Sequence, residues 1–321
     1  MKSLKRLSFF HLMILLGAGC FSHAFAQTQP LAIKPLRPSQ KASVMQTVGV
    51  TDISITYSRP PVNKRTIFAD APPDMEARHK GEATLDNQNE RKPGEPIVPY
   101  NHVWRAGANE ATLFQVSDDV VINGQPLKAG SYSLHTIPGK DEWTIIFNSD
   151  PGQWGSFTYS ADKDALRVKA KPQAAGDSQE WLEYTFDPVT DNSATVNLRW
   201  EKVRVPFTIE VKDVKATWLK RADELIAANP TAGQLPAQVA QTLFSPRFKD
   251  NEGALKYVEQ SIKVKETFGN LSLKSNILWE MGKKDDAQTV ADAAIAKGKA
   301  DKVNTAAFEK RVADRKAAKM Q

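Results

Sequence analysis

A chain of 321 residues with 41% apolar residues is long enough to bury a sizeable core, and its length favours two domains over one. The formal charge of +6 is too mild to call for a nucleic-acid partner, and a single cysteine, Cys20, excludes a disulfide scaffold.

Lys2, Lys5 and Arg6 precede an apolar run, FFHLMILLGAGCF, that ends at Ala24-Phe25-Ala26, the basic, apolar and small-residue order of a secretory signal. Residues 1–26 are therefore expected to be a signal peptide cut after Ala26. The alternative is a lipoprotein anchored at Cys20, against which stands Gly17, where a lipobox wants a branched aliphatic. No other stretch approaches the ~20 apolar residues of a spanning helix. Cleavage after Ala26 leaves no cysteine and lowers the charge from +6 to +3, as expected of a periplasmic or secreted protein without thiol chemistry.

Residues 27–41 are Pro-rich and unpatterned and read as a linker. In 51–57, Ile53, Ile55 and Tyr57 alternate with Asp52, Ser54 and Thr56, the period of a half-buried strand. Residues 69–96 hold four prolines, seven acids and four bases with almost no branched aliphatics, which predicts a mobile inserted surface loop. Residues 103–148 then give strand-like runs at 111–116, 120–122, 131–136 and 143–147, with Asn123-Gly124 as a tight turn. Alternation continues through 166–170, 182–186, 194–200 and 203–211, with Pro206 hinting at an edge or bulge in the last. About nine short strands without intervening helices predict an antiparallel β-sandwich or barrel-like domain over 42–212.

At Asp213, a plausible N-cap, the period changes to about 3.6, with Trp218, Ala222 and Leu225 on one face. An all-helical domain is expected over 213–321, with breaks near Gly233–Pro236, Ser245-Pro246, Gly269-Asn270, Gly282 and Gly298. Leu271, Leu278, Gly282, Ala287 and Ala294 fall at tetratricopeptide-like spacings, and Ala254 precedes Ala287 by 33 residues. A plain antiparallel bundle is the other reading. The fold class is thus α+β in segregated domains.

Specific motifs add to this pattern. TYSRP at 56–60, VPY at 98–100, VWRAGANEAT at 103–112, AGSYSLHTIPG at 129–139, EWTIIFN at 142–148, WG at 154–155 and LRV at 166–168 resemble the bacterial secreted family catalogued as domain of unknown function 2911, over about 39–212. The resemblance implies no activity. One departure concerns the segment after TYSRP: the family passes through a Gly-Arg-x-Ile-Phe-Gly run directly to Val-Pro-Tyr, whereas here 63–68 are followed by the 69–96 segment, with Ala69 where the family has Gly.

Catalytic signals are sparse. His79, His102 and His135 lack metal-ligand spacing, so no metal or cofactor is expected. There is no Gly-x-Ser-x-Gly elbow. Attention falls on the turn holding Trp104, Arg105, Asn109 and Glu110, where charged groups must pair or be solvated. One reading is an Arg105–Glu110 ion pair that pins a crossover; the other is a pocket floor binding a ligand through Arg105 and Asn109. Trp143 shares parity with Ile145 and Phe147 and should be core, whereas Trp154, beside Gly155, is the better candidate for exposure and sugar stacking. Ligand-binding candidates are therefore Trp104, Arg105, Asn109, Glu110, His135 and Trp154. The reading favoured is a non-catalytic binding or interaction module of the cell envelope, its helical part open to a protein or peptide partner. The alternatives are a glycan or peptide hydrolase with Glu110 and His135 as acid and base, and a carbohydrate-binding module.

Overall fold

The computed structural model describes residues 36–80, 82, 84–86 and 91–319, and Pro38–Gln321 form one compact unit. The expected signal peptide, Cys20 and most of the linker lie outside the described residues.

The first strand starts inside the expected linker. β1 (Gln40–Val48) pairs antiparallel with β2 (Thr51–Arg59), from Gln40↔Arg59 to Val48↔Thr51, and Gly49 at φ +62° supplies the left-handed turn residue between them. Its signal was weak because the half-buried positions of this edge strand include small Ala42 and polar Gln46.

Among the described residues ten further strands follow: β3 (Phe68–Ala69), β4 (Val98–Pro99), β5 (Thr112–Val116), β6 (Val120–Ile122), β7 (Gln125–Leu127), β8 (Gly130–Ile137), β9 (Trp143–Asn148), β10 (Asp164–Ala170), β11 (Gln173–Val189) and β12 (Ser193–Glu210). They form an antiparallel six-stranded sheet in the order β1-β2-β5-β8-β9-β10 and an antiparallel four-stranded sheet in the order β11-β12-β6-β7, with β3 and β4 as a small parallel pair. Neither sheet closes into a barrel. Both contribute to a single apolar core that includes Phe114 and Phe147 from one and Trp200 and Phe207 from the other.

The expected runs at 194–200 and 203–211 are one long strand, β12. Glu201 has a φ of +54°, and the buried positions change parity there, from Ala194, Val196, Leu198 and Trp200 to Val205, Phe207 and Ile209. β12 is an inner strand, not an edge. Pro206 is tolerated between the last β11 pairing at Arg204 and the first β6 pairing at Ile209. The Asn123-Gly124 turn is as expected, with φ of +44° and +83° joining β6 to β7.

The described residues of the 69–96 segment differ most from the expectation of a mobile loop; 81, 83 and 87–90 lie outside the described residues. The segment contains α1 (Pro73–Arg78), and Met75, Leu85, Asp86 and Glu95 are buried. Polar pairing takes the place of aliphatic burial: Arg78 binds both Asp74 and Glu95, and Lys92 binds Asp74. Ala69 lies in a strand, and the left-handed turn residues are Asn63 and Lys64 instead.

Beyond Asp213, whose carboxylate caps Ala216 N at 2.8 Å, come α2 (Val214–Ala228), α3 (Gln234–Phe244), α4 (Asn251–Val264), α5 (Phe268–Glu280), α6 (Lys284–Ala300) and α7 (Ala306–Lys319). The break expected near Gly269-Asn270 falls at 265–267, between α4 and α5. Gly269 and Asn270 themselves lie in the first turn of α5, where Thr267 and Asn270 form a capping box. Gly298 lies inside α6, where a Cβ would sit 2.4 Å from Thr305 Cγ2 and 2.9 Å from Phe268 Cδ2, so it marks a close helix contact. Ala254, Ala287 and Ala294 are buried. No helix among the described residues is long and apolar enough to cross a membrane.

Candidate functional site

The turn at 104–112 is held from several sides. Trp104 is buried, stacks on Trp200 at 5.8 Å between ring centroids and donates its indole N–H to Gly107 O at 3.1 Å. Ala106 and Asn109 adopt left-handed φ of +51° and +60°. The Ala106 carbonyl accepts from both Thr112 Oγ1 and Tyr184 OH at 2.9 Å. A Cβ on Gly107 would lie 2.7 Å from Thr112 Oγ1, so only glycine fits there.

Arg105 is the centre of this arrangement. Its carboxylate is Asp86, not the expected Glu110: Nε and the backbone N–H donate to Asp86 Oδ2 at 2.7 and 2.9 Å, and Nη2 donates to Asp86 O. Nη1 donates to Asn109 O at 2.7 Å, and Asn109 Nδ2 reaches Ser39 O at 3.1 Å. Gly155, at φ +61°, lies flat over the guanidinium; a Cβ there would meet Cζ, Nη2 and Nη1 at 3.0, 3.0 and 3.1 Å. The WG motif and the WRAGAN motif are therefore two halves of one joint. Truncating one partner of such a buried pair costs about 3–5 kcal/mol.

Behind Asp86 runs a buried polar chain. Ser156 donates to Asp86 Oδ2 at 2.9 Å, so its oxygen accepts from His135 Nδ1 at 3.3 Å. His135 Nε2 then accepts from Ser133 at 3.1 Å, and Ser133 Oγ accepts from Gln153 Nε2 at 3.3 Å. Every donor points toward the carboxylate, which fixes a neutral imidazole with its proton on Nδ1. His135 is 0% exposed, and burial pulls its pKa down to about 4 against the opposing charge of Asp86. Ser156 is equally sealed. Neither is open to a substrate.

Two concavities flank the turn. One of about 160 Å³ is lined by Glu110 with Lys41 and Gln153. The other, about 230 Å³, is lined by Arg65, Arg91, Arg105, Asp86, Trp154 and Phe157, with Asn109 and Trp104 in its wall. Trp154 and Phe157 are 50% and 53% exposed. Burial lowers the proton affinity of Arg91, Asp86 opposes this, and the positive charges of Arg105 and Arg65 lower it further.

Of the six sequence candidates, Trp104, Arg105, Asn109 and Trp154 thus meet at one cavity, Glu110 borders another, and His135 lies in the core behind them. Asp86, Arg91 and Ser156 were not anticipated. Asp86 and Arg91 belong to an aperiodic polar stretch that offers no local signal, and the Ser156 hydroxyl becomes distinctive only through its contacts. Phe157, three residues after Trp154, was the one legible omission.

Residues 86–209 match the family described as Protein of unknown function (DUF2911). That span begins at Asp86 and covers the whole joint. No curated protein and no solved structure matches the chain.

Proposed function

We propose that this chain is a non-catalytic binding module of the cell envelope, exported by its N-terminal signal, with the 230 Å³ cavity beside the 104–112 turn as its ligand site. The observation that carries this is the pair of half-exposed aromatics, Trp154 and Phe157, bordering a concavity whose wall is fixed by the Arg105–Asp86 joint. Preformed concavities with a few fixed polar groups are the usual form of small-ligand sites, and large aromatic faces in water are the surfaces that ring-shaped ligands cover. A carbohydrate ligand fits this rim. The acid–base alternative draws no support from His135, whose ring nitrogens are both occupied inside the core. The helical part is a second surface, open to a protein or peptide partner.

The test is a glycan-binding screen of the mature chain beside Trp154→Ala and Phe157→Ala, with circular dichroism to check folding. Loss of glycan binding in both variants, with the fold intact, is the expected result. Binding that survives both substitutions, or no binding to any glycan, would overturn the proposal.

A further inference from the structure

We propose that the groove between α3 and α5 binds an extended acidic peptide segment of a partner protein, holding its backbone with the carboxamides of Gln234, Gln238 and Gln241 and taking an Asp or Glu side chain on Lys265. This rests on the reading of the helical part as a peptide-binding surface, to which it adds a site and a ligand chemistry, and it is independent of the cavity beside the 104–112 turn.

The groove encloses about 560 Å³, against about 230 Å³ for that cavity. Residues 234–241 of α3 contribute one wall and 269–276 of α5 the other. Among the described residues it is lined by no carboxylate and no aromatic ring. A pyranose finds no stacking face here, so recognition must come from hydrogen bonds and charge.

Gln234, Gln238 and Gln241 follow one another at i, i+4 and i+7 and share a face of α3. All three are exposed, and none of their carboxamides is bonded to another described residue. A carboxamide offers one carbonyl and an N–H pair, the complement of a peptide group. Four residues of helix rise about 6 Å, and two residues of extended chain about 6.6 Å. The step from Gln234 to Gln238 therefore nearly matches the repeat of peptide groups that face one way along an extended segment. Ser272 and Asn276 stand at the same spacing on the opposite wall, and Ser272 Oγ and Asn276 Oδ1 are buried without a partner among the described residues. Such atoms are nearly always paired, and a ligand rich in N–H groups answers that shortage. Ser261, Thr267 and Asn270, by contrast, are bonded to one another around the α5 capping box and serve as wall.

One end of the groove is positive. Gly233, the N-cap of α3, packs against the last residue of α4, where a Cβ on it would lie 3.2 Å from Val264 Cβ. Lys265 is the next residue in the chain and Thr267, the N-cap of α5, comes two further on. The N-terminal turns of both walls, which favour negative charge, thus open where Lys265 lines the groove. The Lys265 ammonium enters no ion pair among the described residues. One cation and no acid make a carboxylate the complementary group.

The experiment is fluorescence anisotropy of the full mature chain with a library of heptapeptides, capped at both ends so that only side chains carry charge, each made with Glu and with Gln at its centre. The expected result is that a subset binds and that the Glu form binds about fivefold more tightly at low salt, which is what a partly exposed ion pair supplies. Lys265→Gln should bring both forms to the affinity of the Gln peptide. Joint substitution Gln234→Ala and Gln241→Ala, at exposed positions, should weaken both forms about tenfold with the circular dichroism unchanged, and N-methylation of alternate peptide nitrogens should do the same to the wild type. Equal affinity of the two forms, or an N-methylated peptide that binds as well as its parent, would overturn the inference. Peptide binding untouched by every one of these substitutions would also overturn it, by placing the peptide on another face, and would leave the peptide-binding reading of the helices standing. Absence of binding by any peptide would remove both and leave the glycan screen to decide the other site.

Discussion

His135 is held neutral by burial, with a pKa of about 4 in the folded chain against ~6.5 for an exposed imidazole. Below pH 6.5 the unfolded chain takes a proton that the folded chain refuses, so stability is full above that value and is lost as pH falls toward 4, by about 3 kcal/mol in total. Urea unfolding across pH 7 to 5, where ordinary carboxylates stay ionised, should show a declining midpoint in the wild type and a flatter profile in His135→Asn. At this scale some outcomes were legible beforehand. Trp143 is core and Trp154 half exposed, as strand parity and a neighbouring glycine indicated. The partner of Arg105 was not legible, because Asp86 lies 19 residues away in sequence and joins it only through the fold.

The turn at 104–112 and the 154–155 loop behave as one unit. Gly155→Ala puts a methyl about 3 Å from the Arg105 guanidinium at a left-handed backbone position, and the expected cost is about 1–3 kcal/mol. Gly152, in the same loop with open space around it, is the control; its alanine variant should unfold near the wild-type temperature. A Gly155→Ala protein with unchanged melting would show that the stacking carries no weight. Strand positions were readable wherever one face was apolar, as in β2, β8 and β9. β1 escaped because the inward face of this edge strand carries small Ala42 and polar Gln46 beside Val44 and Val48, and the described part of the 69–96 segment escaped because its ion pairs leave no periodic trace.

For the whole molecule, the order of strands followed by helices followed from the period change at Asp213. What joins the two parts did not. Arg221 on α2 reaches Asp118, Ser117 Oγ and the Val50 carbonyl, while Val214 packs against the β1–β2 turn so closely that a Cβ on Gly49 would lie 2.4 Å from its Cγ1. Arg221 is partly exposed, which limits its contribution to about 1 kcal/mol. Arg221→Ala should accelerate limited proteolysis near residue 213 while leaving the β core resistant. Identical cleavage rates would show that the Arg221 contacts do not hold the helices to the β core.

Glu201 gives this architecture an unusual sensitivity to chain length. Because side chains in a strand alternate faces, one residue out of register separates the half of β12 that packs beside Trp104 from the half that meets Phe147. The parity change at Glu201 lets a single ribbon serve two neighbourhoods that a regular strand could not serve together. Removing that residue would leave the composition almost unchanged and turn Val205, Phe207 and Ile209 toward water. For this strand, then, the spelling of individual residues matters less than their count.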